Sequence, residues 1–201
     1  MGVTVLYGGT FNPLHIGHFE TLKVLDGLPE ISRILLIPDR IPPHKEPSFT
    51  VPDAVRIEMC RLAAKEFSKV RVSLLEFERP GKSYTVDTVK TLRQQYPEES
   101  LWFACGGDML ATLDSWYHAD ELIRLCGFYS IERKGFDGFS PAVARLRQKG
   151  AQIRVIEADI PEVSSTMARK CLRKGDYGDF LPETVRDYLT KNKAYEEKKV
   201  K

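Results

Sequence analysis

Runs of apolar, β-rich residues alternate with amphipathic stretches along the whole chain, and this alternation constrains the fold more than any other feature. Val3–Tyr7, Ile34–Ile37, Val70–Leu75, Leu101–Cys105, Phe128–Ile131 and Ile153–Ile156 have the length and composition of buried strands. Between them, His18–Leu25, Pro52–Phe67, Thr85–Tyr96, Ala119–Leu125 and Pro141–Lys149 carry apolar residues at three- and four-residue spacing, the period of a helix. Two further helices, Ser165–Lys174 and Pro182–Asn192, follow the last strand. Strands joined by helices pair in parallel, because a helical crossover returns the chain to the same end of the sheet. The predicted fold class is therefore α/β, a doubly wound, mostly parallel, Rossmann-like sheet with C-terminal helices. The 201 residues suit one domain over 1–195, while the nearly all-charged stretch 196–201 is expected to fray.

Charge narrows the partners. Lys and Arg number 30 against 28 Asp and Glu, a formal net charge of +2, so no global field argues for nucleic acid or a membrane, and any anion must be bound locally. Cys60, Cys105, Cys126 and Cys171 stand singly, without a C-x-x-C pair, as thiols do in a reducing cytosol. No basic leader precedes Val3, and no apolar run reaches the ~20 residues of a membrane span, so a cytoplasmic protein is expected.

A doubly wound sheet binds ligands at the carboxyl ends of its strands, near the point where strand order reverses. The loop after the first strand reads Gly8-Gly9-Thr10-Phe11-Asn12-Pro13-Leu14-His15-Ile16-Gly17-His18. Its glycines allow close backbone approach, Thr10 and Asn12 offer hydrogen bonds, and the helix opening near Gly17-His18 aims its N–H groups at the same place. This is a phosphate cradle. His15 and His18, three apart, project to one side of that helix start. Zinc would need a third ligand, which neither His44 nor His118 supplies at helpful spacing, so phosphate contact is favoured over a metal or purely structural role. Gly81-Lys82-Ser83 is not a P-loop, since Glu76 stands where that motif needs glycine, and no G-x-G-x-x-G occurs.

A second anion site follows the last strand in Val163-Ser164-Ser165-Thr166-Met167-Ala168-Arg169. Ser164 or Ser165 is a natural N-cap, and Arg169 falls one turn beyond Ser165 and Thr166 on the same face.

The two segments together resemble the paired signature of the nucleotidyltransferase superfamily with the T/HxGH motif. Pro42-Pro43-His44-Lys45, Ser83-Tyr84-Thr85-Val86-Asp87-Thr88, Gly106-Gly107-Asp108, Trp116-Tyr117 and Leu181-Pro182-Glu183 extend the likeness to the bacterial nicotinate-mononucleotide adenylyltransferases, from Tyr7 to about Tyr195. The resemblance implies adenylyl transfer from ATP to nicotinate mononucleotide, with magnesium carried on the ATP. It assigns His15, His18, Lys45 and Arg169 to catalysis. Gly8, Gly9, Thr10, Phe11, Gly17, Gly106, Asp108, Ser165 and Thr166 fall to ATP, and Asn12, Thr85, Trp116, Tyr117 and Arg133 to the mononucleotide. No protein metal site is implied.

Four positions depart from the commoner family pattern: Asn12 where aspartate is frequent, Gly107 for alanine, Val163 for isoleucine and Ala168 for a larger aliphatic. Asn12 keeps hydrogen bonding but drops a charge that could serve a metal. Pantetheine-phosphate adenylyltransferases and cytidylyltransferases share both signatures, but Trp116-Tyr117 and the Pro42–Lys45 loop argue against them. Class I aminoacyl-tRNA synthetases share His15-Ile16-Gly17-His18, yet 201 residues leave no room for an anticodon-binding part. A nucleotide-sensing module without turnover is the alternative of another class.

Overall fold

A computed structural model describes residues 2–43, 51–132 and 139–196 of the chain. Six strands form one parallel sheet: β1 (Val3–Gly9), β2 (Ile31–Pro38), β3 (Val70–Val72), β4 (Ser100–Gly106), β5 (Gly127–Glu132) and β6 (Ile153–Glu157). Among the described residues, eight α-helices accompany them: α1 (Ile16–Asp26), α2 (Asp53–Ala64), α3 (Thr85–Gln95), α4 (Gly107–Ala111), α5 (Ala119–Leu125), α6 (Phe139–Gln148), α7 (Ser165–Arg173) and α8 (Glu183–Asn192). The spatial order is β3-β2-β1-β4-β5-β6, and every neighbouring pair is parallel. Strand order reverses between β1 and β4, which is where such a sheet opens a crevice.

Both faces are covered, as the apolar runs require. Successive strand residues point to opposite sides. Val5, Tyr7, Ile34, Leu36 and Trp102 pack in one cluster with residues of α1, α2 and α8, whereas Leu6, Leu35, Ile37, Phe103 and Phe128 pack in the other with α3, α5 and α6. Val5 and Leu6 are both fully buried, so an alternating polar pattern could not have served β1.

Each expected strand and helix is present, with shifted ends. β3 stops at Val72, and the expected continuation turns through a 3₁₀ helix at Leu75–Phe77 that buries Glu76. α1 opens two residues earlier than its apolar pattern, because His15 takes the capping position. The helix Gly107–Ala111 and the 3₁₀ turn Leu113–Ser115 are too short and glycine-led to carry a periodic signal. Glu196, grouped with the charged tail, accepts a hydrogen bond from the Tyr177 hydroxyl at 2.8 Å; residues 197–201 lie outside the described residues.

Cys60, Cys105 and Cys126 are buried and Cys171 is half-buried. Burial pushes the first three thiols well above their ordinary range, Cys126 to about 12, so they pack as small apolar groups. Among the described residues, no helix is long and apolar enough to cross a membrane.

Candidate active site

A cleft of about 760 Å³ opens at the carboxyl ends of β1 and β4. The segment between β1 and α1 forms much of its wall, and four side chains from later in the chain hold that segment. Arg56, only 3% exposed, donates from Nη1 to the Thr10 oxygen at 2.8 Å and from Nη2 to Asp53 at 2.5 Å. Arg169 donates from Nη1 to the Asn12 oxygen at 2.7 Å. Tyr195 donates from its hydroxyl to Asn12 Oδ1, also at 2.7 Å, and Ser165 Oγ to the Pro13 oxygen at 3.3 Å. The backbone oxygens of Thr10, Asn12 and Pro13 are thereby held by side chains from later in the chain.

Phe11 sits at a φ of 46°, the left-handed region that bulky residues avoid. Its buried ring offsets that strain, resting edge-on against His18 at 5.1 Å and Tyr7 at 5.9 Å. Gly9 makes the return possible, since a β-carbon there would come within 3.1 Å of the Phe11 ring.

His15 and His18 meet as the sequence spacing predicts. Their rings stack at 3.7 Å between centroids and 25° between planes. The His15 backbone N–H donates to His18 Nδ1 at 3.2 Å, which leaves the neutral imidazole's proton on Nε2. Both residues border the cleft. The start of α1 is less open than expected, because the Ile16 N–H already donates to the Phe180 oxygen at 2.8 Å. Gly17 does not border the cleft: a β-carbon there would lie 3.2 Å from both the His15 ring and the Pro161 oxygen. Its place is a close approach that brings the α7 segment against α1.

Ser164 is the N-cap of α7, accepting from the Met167 N–H at 3.1 Å, and Ser165 and Thr166 follow it along the cleft. Arg169 Nη2 reaches back to Thr166 Oγ1 at 3.1 Å, so the guanidinium lies along the first turn of the helix. Its two bonds use two of the five N–H groups and set its plane.

The opposite strand end supplies Gly106, the N-cap of α4, with Asp108 exposed in the first turn. Trp116 is half-buried, edge-on to Phe103 at 5.8 Å. Tyr117 is 48% exposed and stacks on Tyr84 at 4.2 Å, beside Thr85 at the start of α3.

Of the expected site residues, Gly8, Gly9, Thr10, Phe11, Asn12, His15, His18, Thr85, Gly106, Asp108, Trp116, Tyr117, Ser165, Thr166 and Arg169 all border this cleft. Lys45 and Arg133 lie outside the described residues. Sequence reasoning missed Asp39, which ends the loop side of β2 and accepts from Thr10 Oγ1 at 3.4 Å; its place just after a strand was the available signal. It also missed Glu76, a buried carboxylate on the cleft wall bonded by Thr88 Oγ1 and by Arg79 Nη2, the latter at 3.3 Å. No local pattern announces Glu76, Arg56 or Tyr195.

Residues 6–171 match the cytidylyltransferase-like family, so fold and site together define a nucleotidyltransferase domain. The nicotinate-nucleotide adenylyltransferase of Bacillus subtilis (strain 168) is 36% identical over 194 residues, covering 95% of this chain and 97% of that protein. Plasmodium falciparum nicotinic acid mononucleotide adenylyltransferase shares the fold: its complex with APC superposes with a TM-score of 0.79 at 23% identity, over 97% of this chain and 98% of that one. Its complex with NaAD gives a TM-score of 0.78 over the same shares. The chain belongs to the nicotinate-nucleotide adenylyltransferase family.

Proposed function

We infer that the protein transfers the adenylyl group of ATP to the phosphate of nicotinate mononucleotide, giving nicotinate adenine dinucleotide and pyrophosphate in NAD biosynthesis. A phosphate oxygen of the mononucleotide attacks the α-phosphorus of ATP, and the bond from that phosphorus to the departing pyrophosphate breaks. The attacking phosphate has a second pKa of about 6, so near neutrality it needs no protein base. Catalysis then reduces to holding two polyanions in line and balancing the charge that develops as pyrophosphate leaves.

The observation that carries this reading is the meeting of His15, His18 and Arg169 on one cleft at the switch point of the sheet. His18, with Nδ1 engaged, offers its Nε2–H to a phosphoryl oxygen. Arg169 and the amino end of α7 face the phosphates with positive charge and partial charge respectively. Trp116 and Tyr117 give the pyridinium ring aromatic faces, and Thr85, as the first residue of α3, has a backbone N–H that the helix does not satisfy from within. That N–H welcomes the nicotinate carboxylate and opposes the N–H of an amide. Lys45 and Arg133 are assigned to catalysis and to the pyridine side by family resemblance alone.

A divalent metal fits this cleft as a companion of the triphosphate. Among the described residues, no three His, Cys, Asp or Glu side chains group to hold an ion, while Asp39 and Asp108 border the cleft singly. Magnesium, which keeps several waters and prefers phosphate oxygens, suits such a site and would neutralise part of the triphosphate charge. Asp39 and Asp108 are the carboxylates that would take its waters.

The test is incubation with ATP and either nicotinate mononucleotide or its amide, with products separated by mass. Formation of nicotinate adenine dinucleotide with matching pyrophosphate supports the reading. Tight nucleotide binding without pyrophosphate release would overturn it in favour of a sensing module.

A further inference from the structure

The first turn of α3 reaches the cleft without a side-chain cap. Tyr84 takes the N-cap position, where serine, threonine or aspartate would offer a short-reaching oxygen, and no cap bond forms. Thr85, the next residue, borders the cleft. The hold that is missing at the end of the helix is supplied one turn further in. Thr88, 3% exposed, donates from Oγ1 to one carboxylate oxygen of Glu76, itself 5% exposed, and accepts from Arg79 Nη2 at 3.1 Å. Arg79 Nη2 also donates to the second Glu76 oxygen at 3.3 Å, which closes a triangle of three side chains.

We propose that Thr88 is a positioning residue for the mononucleotide: its hydroxyl, held by Glu76 and Arg79, fixes the first turn of α3 and with it the place of Thr85 on the cleft, and so sets the preference for the acid over the amide. The proposal rests on the adenylyl-transfer reading above, in which the start of α3 meets the nicotinate carboxylate.

The triangle acts where the turn is closed. The Thr88 N–H donates to the Tyr84 oxygen at 3.3 Å, so the backbone of Thr88 completes the first turn while its side chain is anchored to Glu76 on the neighbouring 3₁₀ helix. On the other side of Thr85, the Ser83 N–H donates to the Ile41 oxygen at 2.9 Å, and Ser83 Oγ accepts from the Arg40 N–H at 3.1 Å. The chain entering the helix and the turn leaving it are thus both tied down, and Thr85 lies between them. Glu76 by itself would oppose a carboxylate ligand, and the Arg79 guanidinium balances that charge. Packing does not demand the hydroxyl, since valine has nearly the shape of threonine and carries no polar group to bury.

The experiment measures the ratio of kcat/KM for nicotinate mononucleotide to that for its amide, by pyrophosphate release, in Thr88→Val, Thr88→Ser, Glu76→Ala and the double variant Glu76→Ala with Thr88→Val. Thr88→Val is expected to lower the ratio about tenfold, the effect of one misplaced hydrogen bond, with the KM for ATP nearly unchanged. Thr88→Ser, which keeps the hydroxyl, should restore most of the ratio. Glu76→Ala should lower the ratio about tenfold more in the wild-type background than in the Thr88→Val background, because the group through which Glu76 acts is then gone; any direct effect of its charge is common to both backgrounds and cancels. Lost folding does not enter the ratio, since both substrates meet the same folded fraction, and Thr88→Ala serves in the same way where Thr88→Val does not fold. An unchanged ratio in Thr88→Val and Thr88→Ala would overturn the proposal, as would a Thr88→Ser loss equal to that of valine or an equal effect of Glu76→Ala in both backgrounds. A wild-type protein that turns over acid and amide equally would also overturn it, whereas one that releases no pyrophosphate would overturn the adenylyl-transfer reading itself.

Discussion

Arg169 Nη1 donates to the backbone oxygen of Asn12 at 2.7 Å although 157 residues separate the two. This bond ties the amino end of α7 to the segment after β1, so the two segments expected to bind anions border one cleft. Arg169→Lys keeps the charge but presents a point donor that cannot hold the Asn12 oxygen and Thr166 Oγ1 in one plane. The variant should fold and lose about tenfold or more in kcat, while Arg169→Ala should lose on the order of 10²-fold. Steady-state turnover beside melting curves checks this; a fully active Arg169→Lys would show that charge alone suffices.

The histidine pair makes a separate prediction. The His15 N–H donates to His18 Nδ1, and the role proposed for His18 is a contact made mainly as charge develops. His18→Ala should lower kcat on the order of 10²-fold with the fold intact. Unaltered turnover in a variant with a native circular dichroism spectrum would refute a phosphoryl role.

Trp116 should separate the two substrates. One stacked ring contributes about 1.4 kcal/mol, so Trp116→Ala is expected to raise the KM for nicotinate mononucleotide roughly tenfold and leave that for ATP nearly unchanged. Wild-type kcat/KM should favour the acid over the amide by on the order of 10²-fold or more. Equal losses for both substrates, or preference for the amide, would move the pyridine pocket elsewhere.

Two residues before Trp116, Asp114 is clamped by Lys149 Nζ at 2.5 Å and Arg145 Nε at 2.6 Å, joining this segment to α6. The Lys149 hydrogen bond, with that of Arg145, holds the Asp114 carboxyl below its ordinary value of 3.8. A depressed folded-state pKa stabilises the protein fully above the unfolded value and is lost as pH falls through the folded one. Asp114→Asn should therefore lower the melting temperature modestly at pH 6, and the gap from wild type should shrink from about pH 4 downward. A gap unchanged down to pH 2 would show that the clamp is not ionic.

The burial of both sheet faces is what made the fold legible. A strand covered on two sides must be apolar throughout, as Val5 and Leu6 are, and a crossover helix must repeat at three and four residues. These are local demands, readable from neighbours in sequence. Short elements escape them: the five residues of Gly107–Ala111 complete barely more than one turn. Candidate site residues were legible by type and by their place after strands, His15, His18 and Arg169 above all, because loops at strand ends are where such a sheet binds ligands.

The shape of the cradle was not legible, since its determinants are distant along the chain. Arg56 reaches Thr10 across 46 residues, Ser165 reaches Pro13 across 152, and Tyr195 reaches Asn12 across 183. Nothing local distinguishes Arg56 from a solvated helix arginine, or Tyr195 from an ordinary terminal tyrosine. The sequence by itself determined the α/β layering and the chemistry available at the strand ends, because hydrophobic periodicity and residue type act between near neighbours. Only the tertiary structure decided the left-handed turn at Phe11, the hydrogen bond onto His18 Nδ1 and the one between Tyr195 and Asn12. Each depends on a hydrogen bond or a ring contact whose partner is brought into place by the packed fold.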